Sequence, residues 1–412
     1  MNKKKAIICL LILLFFISTR YLSYTGFTNT YTQIPVGIAV VLLFLYALSN
    51  FSYFMNKKSI YPSSVFIYAF VFIPIFTWIT CLVAHKQSII DSIFAYIPHY
   101  LILAYFLMAK AKLGSKDIIN IIILFAVIRT ILIFIEQFTY PFAPFAHRMD
   151  SYDEYGHFVA VEQRSGFYRF MIGDAYFTVL FSGIYSFIRL IKHISLRYIV
   201  LFFISIFGIY MDGSRQVMMA FVASIFSYPL IFGGKGKSKY LLLLIVFVGI
   251  MLFYASELFS ELLIRTRGDV NDLNSRALSY SFLWKNEGDW YTQIFGHGIG
   301  FSNRTMWGKK LLFMHEMGIR PHDVGIIGAI YMVGWPLVIL FCLYYVKVVF
   351  RNWNSIDASV RLYLLTILYM IPMIFPLYNG TLPDYEMFLA FIFYLVDVSI
   401  LESRTRNCLC SK

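Results

Sequence analysis

The sequence predicts an all-α, polytopic membrane protein with about twelve transmembrane helices. Three observations predict it. First, 59% of the 412 residues are hydrophobic and only 14% are charged, and mean hydropathy is +0.70. A soluble domain carries nearly twice that charge. Second, the apolar residues fall in blocks of about 17–24, long enough to cross a bilayer core as helices. Strands of a membrane barrel would be about ten residues long and alternating, which excludes that class. Third, Lys and Arg gather in short segments between alternate blocks, as the positive-inside rule places them. That pattern explains the net charge of +13 without nucleic acid as a partner. The cysteines, Cys9, Cys81, Cys342, Cys408 and Cys410, lie outside the long polar stretch, so no disulfide framework or thiolate metal site is implied there.

The elements follow in order. MNKKK precedes an apolar run with no small-residue cleavage site, which reads as an uncleaved first helix at about 6–22 with its lysines in the cytoplasm. Spans two to four are expected at about 33–55, 61–84 and 92–109, with Lys57, Lys58, Lys110, Lys112 and Lys116 on the inner side. Span five, about 118–138, carries Arg129 and Glu136 seven residues apart, hence on one helical face. Ionisable groups inside a membrane helix face a partner or a cavity. An outer loop at about 139–174 contains Arg164 and Arg169. Spans six and seven, about 175–191 and 198–212, lead to a tight turn at Asp212, Gly213 and Ser214. Ser214 can cap span eight, which starts near Arg215. A cation at a helix N-terminus is disfavoured unless an anion joins it there. The basic turn GGKGKSK that ends span eight is not a phosphate loop, because Ile231 stands where its first glycine belongs. Span nine, about 239–256, precedes the long polar stretch 257–323. Spans ten to twelve are expected at about 324–346, 361–379 and 385–401, and a basic tail follows. Three regions result: residues 1–256 with nine helices, 257–323 as a large periplasmic loop, and 324–412 with helices ten to twelve and a cytoplasmic tail.

The two long outer loops and the turn at 212–215 hold nine arginines and three lysines. Orientation is served by either residue. Arg alone presents a planar fork that grips phosphate in two places. Arg164, Arg169, Arg215, Arg265 and Arg276 are therefore candidate phosphate-binding residues. The plainer reading is salt bridging to Glu257, Glu261, Asp269 and Asp272. Trp284, Trp290, Trp307 and Tyr280 suit either anchoring at the membrane interface or stacking on carbohydrate. Gly296, Gly298 and Gly300 in GHGIGF read as a tight backbone turn. His322 follows Pro321 at a helix start, where an imidazole serves as a general base or as an interfacial cap. His297, His315, Glu316, His322 and Asp323 follow no metal-ligand spacing, so neither a metal nor another cofactor is expected.

Three pieces carry a resemblance: SRQ at 214–216, NSRALSYSFLWKN through IFGHGIGF at 274–301, and PHDVGIIGAIYMVGW at 321–335. With the span count and the large loop, the chain resembles the bacterial O-antigen polymerase and O-antigen ligase superfamily. The resemblance implies an integral-membrane glycosyltransferase in the bacterial inner membrane, acting on its periplasmic face. It implies undecaprenyl-pyrophosphate-linked oligosaccharides as substrates and no metal. It gives Arg215 and Arg276 to the diphosphate and His322 to the acceptor hydroxyl. Asp323 stands where the family often has Asn, and Gly334 falls one place late. A polymerase joining repeat units, with a chain-length regulator as a further partner, is the first expectation. A ligase that transfers the glycan to lipid A-core is the alternative. A flippase for the same lipids is a third class, disfavoured because no internal repeat is visible.

Overall fold

A computed structural model describes residues 3–19, 29–139, 163–164, 167–168, 176–212, 215–231, 270–285, 288–301, 305–378 and 383–410. These residues are almost wholly helical. The exception is a two-residue antiparallel ladder, Gln163–Arg164 against Phe167–Tyr168.

The helices fall on the apolar blocks. They are α1 Lys3–Ser18, α2 Asn29–Ser49, α3 Phe51–Asn56, α4 Ser63–Phe72, α5 Pro74–His85, α6 Ile89–Tyr96, α7 Ala104–Ala111 and α8 Ser115–Thr139. Then come α9 Tyr176–Lys192, α10 Leu196–Asp212 and α11 Arg215–Ile231. The predicted start of span eight at Arg215 coincides with the start of α11. Its proposed cap, Ser214, lies outside the described residues, as does span nine. A second group follows: α12 Val270–Lys285, α13 Trp290–Phe295 and α14 Met306–Glu316 within the polar stretch, then α15 Gly325–Val333, α16 Trp335–Tyr344, α17 Ala358–Met370 and α18 Pro383–Cys410.

Among the described residues, Ser63–His85, Ile89–Ala111 and Ser115–Thr139 are long and apolar enough to cross a membrane. The second of these is helical throughout but tightens to a 3-10 turn over Ile97–Leu103. Large apolar side chains on its surface, such as Ile38, Leu42, Phe76 and Ile79, are exposed, as lipid contact requires and water does not favour. The chain thus has the character of a helical membrane protein.

Two expected spans are broken. The block read as one helix at 324–346 bends by 118° between Pro321–Val333 and Trp335–Phe350. Gly334 sits at the break with φ +89°, and Pro336, with no N–H to continue the ladder, starts the next helix. The block read as a span at 361–379 ends its helix at Met370. Pro372 and Pro376 follow, and each proline also disfavours helix at the residue before it. The second break faces the start of α15, whereas Gly334 faces Ile294 and Phe295. The backbone N–H groups of Gly325 and Ile326 donate to the carbonyls of Met373 and Ile371, both at 3.1 Å.

The most buried element is α18, with every residue from Tyr385 to Ile400 inside. It packs along the 3-10 turn Ile97–Leu103 and along α7. Asp397 on α18 is fully buried. It accepts from Ser63 Oγ at 2.7 Å, from the Ser63 N–H at 3.2 Å and from Tyr105 Oη at 2.5 Å. No cation is needed when both oxygens are so satisfied. Arg129 and Glu136 are both buried on α8, on one face as their spacing predicts. The Arg129 guanidinium lies over the Tyr176 ring at 5.9 Å.

Candidate functional site

The described part of the polar stretch does not hang from the apolar helices; it is built into them. GHGIGF enters the gap left by the break at Gly334. The N–H groups of His297 and Gly298 donate to the carbonyls of Tyr331 and Met332 at 2.8 and 2.7 Å. Thr80 donates to the Gly296 carbonyl at 2.8 Å. Gln87 donates to the Ile299 carbonyl at 3.0 Å and accepts from the Phe301 N–H at 3.1 Å. The glycines permit the approach. A Cβ on Gly296 would lie 2.6 Å from Met332 backbone, and one on Gly298 would lie 2.9 Å from Cys81 Cβ. The turn reading of this motif therefore extends to a docking segment.

His297 is held by the same contacts. Its Nδ1 lies 2.9 Å from His85 Nε2, and His85 stacks on Trp307 with ring centroids 3.7 Å apart. Trp307 is 1% exposed and donates to the Gly298 carbonyl, so it is a core residue here and not a free stacking surface for sugar. Burial first, and then Lys310, lower the His297 pKa from 6.5 to about 4. The unfolded chain therefore takes up a proton near pH 6.5 that the folded chain resists until about pH 4. Stability is expected to be flat above pH 6.5 and to fall as pH drops from 6.5 towards 4. Thermal unfolding in detergent at pH 7 and pH 5 checks this; equal midpoints would exclude it.

The second half of the site is assembled around α12. Arg276 on α12 faces Gln216, the second residue of α11. With the Gln216 amide oxygen turned to the guanidinium, it accepts from both terminal nitrogens at 2.9 and 3.0 Å. This fork-to-amide contact brings together two of the three motifs singled out from sequence. One turn on, Ser279 accepts from the Arg320 N–H at 3.0 Å and donates to the Gly318 carbonyl at 3.1 Å. Tyr280 donates its hydroxyl to the Pro372 carbonyl. Burial, the largest influence, raises the Tyr280 pKa above 10.0, with Arg276 opposing. The helix α12 thereby packs on the 3-10 turn Pro321–Val324 and on α15, which places the third motif beside the first two.

His322 lies in that turn. It lines a small cleft together with Pro321, Gly325, Gly328, Ala329, Met332, Phe375, Leu377 and Tyr378. The cleft sits between the turn Pro321–Val324 with α15 on one side and the segment 375–378 on the other. Gly328 lets the turn fold back, since a Cβ there would fall 1.7 Å from the Pro321 carbonyl oxygen. The Nδ1 of His322 is buried and has no hydrogen-bond partner among the described residues. Asp323, the next residue, contacts Arg320 at 4.0 Å with both side chains nearly half exposed, a pair of little energetic weight.

The other candidates distribute as follows. Trp284 is 66% exposed on α12. Arg215 opens α11, but its side chain is outside the described residues, as is that of Arg164 in the short ladder. Arg169 and Arg265 lie outside the described residues altogether. Among the described residues no group of three His, Cys, Asp or Glu side chains is placed to hold a metal ion. Sequence reasoning missed the buried pair His99 and Glu386, whose Nδ1 and Oε1 are 2.5 Å apart. Glu386 also accepts from the Tyr378 N–H at 3.0 Å. An ionisable residue so close to a membrane helix start was the available signal.

Fold and site together describe a helical membrane protein with a cleft of mostly apolar lining, into which His322 and Tyr378 bring polar groups. A scan against family models and a search of curated proteins found no match to this chain.

Proposed function

We propose that this protein is a surface-polysaccharide polymerase, for O-antigen or a related glycan. In this reading it joins undecaprenyl-diphosphate-linked repeat units on the periplasmic face of the bacterial inner membrane. The chain crosses the membrane about twelve times, with both termini in the cytoplasm. Residues 257–323 form the large periplasmic loop, and the bent pair counts as one span. One observation carries the reading: Arg276 reaches Gln216, while the same helix packs on the turn that presents His322 to the cleft. Cation and imidazole thus belong to one neighbourhood, as a transfer from a lipid diphosphate to a sugar hydroxyl requires.

The chemistry asks for little more. A diphosphate is already a competent leaving group, and its departure needs charge neutralisation, which guanidinium forks supply. The acceptor hydroxyl needs placement and a base. His322 takes its proton as the oxygen attacks the anomeric carbon from the side opposite the diphosphate, inverting that centre. Trp284, exposed about two turns along α12 from Arg276, offers a stacking face for the sugar.

The test is to incubate the purified protein with lipid-diphosphate-linked repeat units that accumulate in cells lacking it, and to size the products. A ladder of longer lipid-linked glycans is expected. Arg276→Ala should lower the rate by about 100-fold or more while the protein remains in the membrane, and Arg276→Lys should also be impaired because the fork is lost. Full-length polymer from Arg276→Ala, or wild-type protein that leaves single units unjoined, would end this assignment.

A further inference from the structure

The cleft has a second ionisable partner behind it. His99 and Glu386 are 3% and 1% exposed and bonded at 2.5 Å. They come from elements far apart in the chain, the 3-10 turn Ile97–Leu103 and the start of α18. Tyr378 connects them to the cleft. It lines the cleft beside His322, its N–H donates to Glu386, and its ring lies against His99 with centroids 5.5 Å apart. Its backbone is held at φ +54°, in the left-handed region that a bulky residue occupies only under constraint. His322 lies within electrostatic reach of His99.

Two buried carboxylates on α18 invite comparison. Asp397 has both oxygens saturated by Ser63 and Tyr105. Glu386 leaves Oε2 buried with no hydrogen-bond partner among the described residues. The nearby His322 Nδ1 shares that condition. A buried polar atom without a partner is costly, and an intramembrane carboxylate more so. Such groups persist where they exchange a proton or bind a polar ligand.

Resting on the function proposed above, we infer that His99 and Glu386 form a proton-accepting pair for the transfer step. The acceptor oxygen bonds to the anomeric carbon and the bond from that carbon to the diphosphate oxygen breaks, its electron pair leaving with the diphosphate. The hydroxyl proton passes to His322 and then, through bridging water, to the unoccupied Glu386 oxygen. His322 is thereby neutral again for the next repeat unit. The pair does not touch the sugar.

Glu386→Gln and the double variant His99→Gln/Glu386→Gln test this in the same assay with full-length protein. Glu386→Gln is expected to lower kcat about tenfold or more with KM unchanged. The double variant restores a neutral hydrogen-bonded pair of similar volume, so it relieves the cost of a stranded buried partner. It should fold even where the single variant does not, and it should remain slow. Recovery of wild-type kcat in the double variant would make the pair a packing device and overturn the inference. So would an unchanged kcat in Glu386→Gln. Either result with an active wild type leaves the polymerase reading standing, whereas an inactive wild type removes both.

Discussion

Replacing His322 by alanine is expected to slow glycan transfer by about 100- to 10,000-fold, the range a positioned general base contributes. The protein should still insert and run as a single species in detergent. The expectation follows from where the side chain stands. His322 occupies a cleft wall opposite the segment 375–378, and its Nδ1 is not used by the fold among the described residues. Its removal therefore takes away chemistry more than packing. Asp323→Asn is the matching control. Asp323 is nearly half exposed and its contact with Arg320 is long, so transfer should change by no more than a few-fold. Equal loss in both variants would show that the turn itself, not the imidazole, is what the reaction needs. Sizing lipid-linked products over time, with membrane content measured alongside, decides between them.

What could be read from the sequence was the set of apolar blocks. The helix Ser115–Thr139 and the continuous segments Ser63–His85 and Ile89–Ala111 lie where block length and flanking lysines put them. The breaks were not legible, for a physical reason. Residues on both sides of Gly334 and of Pro372 are apolar, so hydropathy continues through the bend. Only Gly334 before Trp335 and Pro336, and the paired Pro372 and Pro376, marked the places where a helix must stop. The site was legible as motifs and not as an assembly. Arg276 and His322 stood out by residue type, but their neighbourhood depends on Ser279 meeting Gly318 and Arg320. The His99 and Glu386 contact spans 287 positions, a separation across which no local pattern operates. Trp307 was misjudged because its burial under His85 depends on GHGIGF entering a gap that the sequence does not announce.

Gly334→Ala is expected to be among the most destabilising single-methyl substitutions in the protein. Gly334 has φ +89° and ψ 172°, a region essentially reserved for glycine, where an L-residue costs about 1–3 kcal/mol. Its new Cβ would also lie 2.4 Å from the Ile294 carbonyl oxygen and 2.5 Å from the Phe295 carbonyl carbon. Backbone cannot yield as a flexible side chain does, so the overlap must be relieved by separating the break from α13 and from the segment that follows it. That separation breaks the bonds from His297 and Gly298 to Tyr331 and Met332 and frees His297 from its buried place. The combined cost is about 3 kcal/mol or more, by the overpacking range added to the backbone strain. Gly37→Ala supplies the contrast. It lies inside α2, and a Cβ there meets nothing within 4 Å, so the higher helix propensity of alanine should leave stability equal or slightly raised, by about 1 kcal/mol at most. Thermal unfolding of both variants in one detergent measures the difference. A Gly334→Ala protein as stable as the Gly37→Ala protein would mean that the break can open without penalty. The cleft that carries His322 would then no longer be fixed by the docking of the polar stretch.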